Sequence, residues 1–200
     1  MITETIDIQR ILDGLTYNHF LDLSIKKVED TVEDLLEESE KALYEYSKLN
    51  LHRIKRIEKS YKVSELICEQ ILKINEPQIW MVLTEDWCGD SAQNLPYIAK
   101  IAECNSLIKL RILPRDQNLD LMDLYLTDQK SRSIPKLVAF DEFGNELFQW
   151  GPRPYEAQKL VMELKALGLS KNEFNEKLHL WYGRNKGKSI ENEFVELLKS

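Results

Sequence analysis

Cys88 is the residue best placed to do chemistry, because it falls between a strand pattern and a helical one. The apolar run Gln78 to Leu83 reads as a strand covered on both faces, and a helical pattern follows from Ala92 to about Glu103. A cysteine at such a junction lies near the helix's first free amides, whose partial positive charge favours thiolate over thiol. The thiolate is the nucleophile of disulfide exchange. Trp87 would shield one side of it, whereas Asp86 and Asp90 oppose a second negative charge. The expectation is an exposed Cys88 thiolate with a lowered pKa. The plain alternative is a small buried hydrophobe, the commoner fate of a solitary cysteine.

The other candidates are weaker. Cys104 lies 16 residues beyond Cys88, about 24 Å along a continuous helix and out of disulfide reach. Cys68 belongs to a different segment, and both are expected to be structural thiols. Gly183 to Ser189 imitates a phosphate loop but is one residue short, and it follows a helical pattern where that loop follows a strand. A basic interhelical turn is expected there. His19, His52 and His179 fall in separate helical patterns without a paired Cys-x-x-Cys, so no metal site is expected.

The positioning elements read as follows. Residues 1–75 hold one glycine and no proline, with apolar residues three and four apart, and form a helical N-terminal extension. One helix runs from about Thr31 to Leu49, and two shorter ones carry Leu51, Ile54 and Ile57, then Val63, Leu66, Ile67 and Ile71. Seven acids crowd residues 29–40 and six Lys or Arg residues 48–62, which suits solvated faces attracting across a bend. The pattern changes at Pro77. Residues 76–168 read strand, helix, strand, short helix, strand, strand, helix, with a turn at Gly144-Asn145 making the last two strands antiparallel. The second strand runs from Leu107 to Leu113, the third from Leu137 to Phe140 and the fourth from Glu146 to Trp150. Residues 169–200 supply two amphipathic helices that pack on this core. The fold class is α/β.

Composition narrows the function without naming it. Among 200 residues, 43% are hydrophobic and 30% charged, which suits a globular chain rather than disorder or a disulfide scaffold. A net charge of -7 argues against nucleic acid as a partner. No apolar run approaches the roughly 20 residues of a membrane span. The start shows no basic segment followed by an apolar core, so no signal peptide is expected. An odd count of three cysteines suits a reducing cytoplasm. Oligomeric state is not legible.

Trp87-Cys88-Gly89-Asp90-Ser91, Pro96, and Ile134-Pro135 before a strand together resemble the thioredoxin superfamily. The stretches Arg115-Asp116, Ser133 to Leu137 and Trp150 to Pro154 look closest to bacterial members with a helical N-terminal extension. The resemblance covers about the middle 90 residues. It implies a thioredoxin-like fold, a helix kinked at Pro96, and a cis bond at Pro135 that faces Cys88 and exposes the Ile134 backbone to substrate. Trp87, Gly89, Asp90, Ile134 and Pro135 would then line the substrate groove. Three departures stand out. Ser91 replaces the family's second cysteine, Val82 stands where members bury an acid, and Asp90 often corresponds to proline. Cys88 with Ser91 therefore implies a monothiol enzyme without a resident cofactor. It would form a mixed disulfide with a protein or low-molecular-weight thiol substrate, and an external thiol such as glutathione would resolve it. The alternative is an inactive module that binds peptides in the cis-proline groove. A similarity of Cys88 to Ser91 to the monothiol glutaredoxins is a third, weaker reading.

Overall fold

The alternation of Val, Leu, Ile, Met and Trp between Gln78 and Thr84 makes a central strand, β1, with apolar side chains on both faces. In the computed structural model, which describes residues 6–199, β1 (Gln78–Thr84) pairs in parallel with β2 (Ile108–Pro114). It pairs antiparallel with β3 (Lys136–Asp141), which in turn pairs antiparallel with β4 (Glu146–Trp150). The order across the sheet is β2-β1-β3-β4. A parallel pair needs a crossover, and α5 (Gly89–Ala102) provides it. The short α6 (Leu119–Leu124) follows β2, and α7 (Tyr155–Ala166), α8 (Lys171–Asn185) and α9 (Lys188–Leu197) follow β4.

The period of two along β1 sorts its side chains between two cores. Trp80 and Val82 face Leu95, Ile98 and Ile101 of α5 and Phe194 of α9. The Trp80 ring meets Phe148 and Phe194, each with centroids 5.6 Å away. Ile79, Met81 and Leu83 face the other way, toward Leu121 and Met122 of α6 and Ile11 of α1 (Ile8–Leu12). After α1 the chain lies along the outer edge of β2, where Leu15 and Ile112 exchange hydrogen bonds of 2.9 and 2.7 Å. That contact covers an edge that would otherwise template aggregation.

The N-terminal helices differ from expectation in two places: helical structure breaks near residue 31, and it does not break before Leu51, which lies in the same helix as Leu49. No single helix runs from Thr31 to Leu49: α2 spans Tyr17–Asp30, a short turn follows, and α3 runs unbroken from Glu38 to Ser60. Val32 and Leu35, expected on its apolar side, are 58% and 82% exposed. The acidic run explains the break. Glu37, Glu38 and Glu40 sit at the start of α3, where the helix dipole favours negative charge. The Glu37 amide donates to the Glu40 carboxylate at 3.0 Å, closing that helix start. Leu51, Ile54 and Ile57 lie in the buried second half of α3, Val63 falls in the link beyond it, and α4 covers Glu65–Ile71. Among the described residues, no helix is long and apolar enough to cross a membrane.

Candidate active site

The chain leaves β1 at Thr84, turns through Glu85 to Trp87, and enters α5 with Cys88 as its cap residue. Neighbouring elements clamp the turn. Asn50 of α3 donates to the Asp86 carbonyl at 2.9 Å, and Lys27 of α2 pairs with the Asp86 carboxylate at 2.7 Å. Beyond β2, the Asp116 amide donates to Glu85 at 2.7 Å, and the Arg115 guanidinium lies 5.1 Å from the Trp87 ring centroid. The helical extension therefore holds the cysteine turn in place.

The Cys88 thiol donates to the Ile134 carbonyl oxygen at 3.3 Å. The Ile134–Pro135 peptide bond is cis. The amides of Asp90 and Ser91 and the Ser91 hydroxyl are aimed at the same sulfur. Behind Ser91, the buried Thr84 hydroxyl donates to the Ser91 oxygen at 2.5 Å, which leaves the Ser91 hydrogen for the sulfur. Gly151 closes the far side. Its φ is +119°, and a Cβ there would lie 2.2 Å from the Pro135 carbonyl oxygen, so a side chain cannot be accommodated.

The expected exposed thiolate of lowered pKa is corrected. Cys88 is part-buried, and its pKa is raised, first by burial and second by the Asp90 carboxylate. The donors from Ser91 and Asp90 pull the other way without prevailing. Helix-terminus amides favour a thiolate, but removing the sulfur from water beside a like charge costs more here. Replacing Ser91 by Ala removes one stabilising donor and leaves the Thr84 hydroxyl without its acceptor. The expected result is slower alkylation of Cys88 at pH 8 and a stability loss of about 1–2 kcal/mol in urea denaturation. Unchanged alkylation would show that Ser91 does not serve the sulfur.

Asp90 is held in a network that joins the cysteine turn to the C-terminal helices. Arg153 pairs with its carboxylate, with Nε at 3.0 Å, and also donates to Gln158 at 3.0 Å. The Tyr182 hydroxyl donates to the other Asp90 oxygen at 2.7 Å and accepts from Asn94 at 3.1 Å. The His179 ring covers Gly89, so a Cβ there would meet Cε1 and Nε2 at 3.1 Å. Burial, then Arg53 and Arg56, push the His179 pKa down to about 4. It is neutral at pH 7 and supplies no imidazolium to the thiol.

A pocket of about 310 Å³ opens over Cys88. Leu43, Tyr46 and Arg53 of α3 form one wall, Lys165 of α7 another, and Lys171, Phe174 and His179 of α8 a third. Trp87, Cys88, Gly89 and Asp90 line it, with Arg153 beside them. Ile134 and Pro135, expected in the groove, are both buried and do not line this pocket; the Ile134 carbonyl oxygen is turned to the Cys88 thiol, and Ser91 lies buried beneath the sulfur. The sequence did not place Arg53, Arg153, Tyr182 or His179 at this site. One signal was present for Arg153, since a part-buried acid such as Asp90 requires a cation. Val82 is fully buried among apolar side chains. Cys104, just past α5, has its pKa raised by burial and by the neighbouring Cys68 thiol, so these two cysteines meet each other and leave Cys88 alone. Among the described residues, no group of three or more His, Cys, Asp or Glu is placed to hold a metal.

A four-stranded mixed sheet, a cysteine capping its crossover helix and a facing cis-proline define a thioredoxin-like site. The family model described as Thioredoxin matches residues 37–165, and the chain belongs to the thioredoxin family. Two crystal structures share its fold. A Pseudomonas aeruginosa protein of unknown function, PA1234, is 15% identical with a TM-score of 0.54, covering 92% of this chain and 98% of that one. An HIV epitope scaffold is 17% identical with a TM-score of 0.52, at the same coverage of each chain. No curated protein matches the sequence.

Proposed function

We propose that the protein carries out thiol–disulfide exchange through Cys88 alone, on low-molecular-weight disulfides that bear carboxylates. Cys88 loses its proton to solvent, and its thiolate attacks one sulfur of the disulfide. The old S–S bond breaks, its other sulfur leaves as a thiolate and takes up a proton, and a mixed disulfide with Cys88 forms. An external thiolate, such as that of glutathione, then attacks the substrate sulfur, which restores Cys88 and forms a new disulfide. Ser91 cannot perform that second attack, because a hydroxyl does not displace a thiolate from sulfur.

The observation that carries this reading is the Cys88 sulfur beside the Ile134 carbonyl at the floor of a pocket. The volume of that pocket suits a small molecule. Residues of α3, α7 and α8 stand around the sulfur. Arg53, Arg153, Lys165 and Lys171 outnumber Asp90, which favours an anionic substrate. The raised Cys88 pKa supports a second reading, an inactive module that binds peptides or partner proteins beside Pro135. A transferase assay separates the two, with glutathione as reductant and a mixed disulfide of glutathione with a small thiol as substrate. The wild-type protein is expected to accelerate exchange, increasingly so as pH rises, while Cys88→Ser returns the rate to background. Equal rates for the two would leave the binding module.

A further inference from the structure

A second cleft, of about 500 Å³, shares no lining residue with the Cys88 pocket. Arg56 of α3 and Lys62 of the link to α4 stand on one side. Lys186, which caps the end of α8, and Lys188, the first residue of α9, stand on the other, with Tyr97 of α5 lining the cleft as well. All four cations are exposed, and among the described residues none has a carboxylate within ion-pair distance. Glu191, the one acid lining the cleft, already accepts from the Tyr61 hydroxyl at 2.5 Å and the Ser64 amide at 3.1 Å. Four cations against one carboxylate around one cleft are a marked local excess of positive charge in a chain of net charge -7.

Tyr97 adds an independent sign. It is only 7% exposed, yet its hydroxyl makes no hydrogen bond among the described residues, and it lies in the fields of Arg56 and Glu191 at the cleft. The ring is buried while the hydroxyl oxygen stays open to the cleft, where a ligand can reach it. The ring is fixed on two sides. Tyr61 meets it edge-on with centroids 4.5 Å apart, and Gly187 sits so close that a Cβ would approach Tyr97 Cε1 to 2.5 Å. The hydroxyl is thus a held donor facing a cationic space.

We propose that this cleft binds a small molecule bearing a diphosphate, held by Arg56, Lys62, Lys186, Lys188 and the Tyr97 hydroxyl. A single carboxylate offers one charge and two oxygens. A diphosphate offers several of each and satisfies cations on both walls at once. The volume admits a nucleoside diphosphate as well as the inorganic anion. Side chains do the holding. The Gly183 to Ser189 turn is no phosphate loop, since it joins two helices and its Ser189 amide is already taken by Asn185 at 3.1 Å.

Calorimetric titration of the full chain with inorganic pyrophosphate, and separately with ADP, tests this. Saturable binding below about 1 mM, weakening with added salt, is expected. The double variant Lys186→Glu, Lys188→Glu should bind at least about tenfold more weakly. Tyr97→Phe should bind roughly threefold more weakly, with its melting temperature and its Cys88 alkylation unchanged. Equal affinity for the two anions identifies the diphosphate alone as the recognised group, and tighter ADP binding adds a nucleoside contact. Absence of saturable binding to either, undiminished binding by the double variant, or binding of an RNA oligonucleotide but neither anion would overturn the proposal.

Discussion

Asp90→Asn should make Cys88 more reactive and the protein less stable at the same time. The Asp90 carboxylate is the largest electrostatic influence that raises the Cys88 pKa, after burial. Removing its charge lowers that pKa and frees Arg153, whose guanidinium already feels the sulfur. More of Cys88 is then thiolate at pH 7.5, although a thiolate of lower pKa is a weaker nucleophile, which offsets part of the gain. The net expectation is alkylation of Cys88 about three- to tenfold faster than in wild type, read by peptide mass spectrometry. The same change strips Arg153 of its partner in a largely buried pair, with side chains 19% and 11% exposed. Breaking one side of such a pair costs about 2–3 kcal/mol where part of the site faces water. Faster alkylation with a lower urea midpoint supports the network. Alkylation that is unchanged or slower would show that Asp90 is not what keeps the thiol protonated.

His179 should make the protein sensitive to mild acid. Its pKa is pushed down to about 4 in the folded chain, against about 6.5 when unfolded. Between those values the unfolded state binds the additional proton, so stability falls as pH drops from 6.5 toward 4. The gap corresponds to about 2–3 kcal/mol for this part-buried ring. His179→Gln retains a polar side chain beside Gln93 but removes the titration. Carboxylates also titrate in this range, so the informative quantity is the difference between the two proteins. Urea denaturation at pH 7 and pH 4.5 should show wild type losing about 2 kcal/mol more than the variant. Parallel losses would mean that Arg53, Arg56 and burial do not depress this histidine.

What the sequence made legible follows from the range of the forces involved. The strands and the helices after Pro77 were readable because period-two and period-3.6 patterns, broken by Gly and Pro, are local. β4 matches its expected span from Glu146 to Trp150, and both ends of β2 fall within one residue of expectation. Trp87 to Ser91 and Pro135 were readable as a motif. Residues 31–37 misled because Val32 and Leu35 carry a helical period, while the acids that follow cap a new helix. The electrostatics of Cys88 misled for a different reason. The helix-terminus argument is local, but the burial that defeats it comes from the packed structure. Arg153 and Tyr182 reach Asp90 from 63 and 92 residues away, and no local pattern reports such pairings. The meeting of Cys68 with Cys104 is equally long-range.

Mass spectrometry of the intact protein during incubation with oxidised glutathione at pH 7, 8 and 9 tests the central claim most directly. One glutathione per chain is expected, mapped by peptide analysis to Cys88 and removed by excess reduced glutathione. Its rate of formation should rise across the pH series because the thiol must first lose its proton. Cys68 and Cys104 should remain unmodified. A Cys88 that stays a free thiol at every pH, or modification that maps to Cys68 or Cys104 instead, would contradict exchange chemistry at this site.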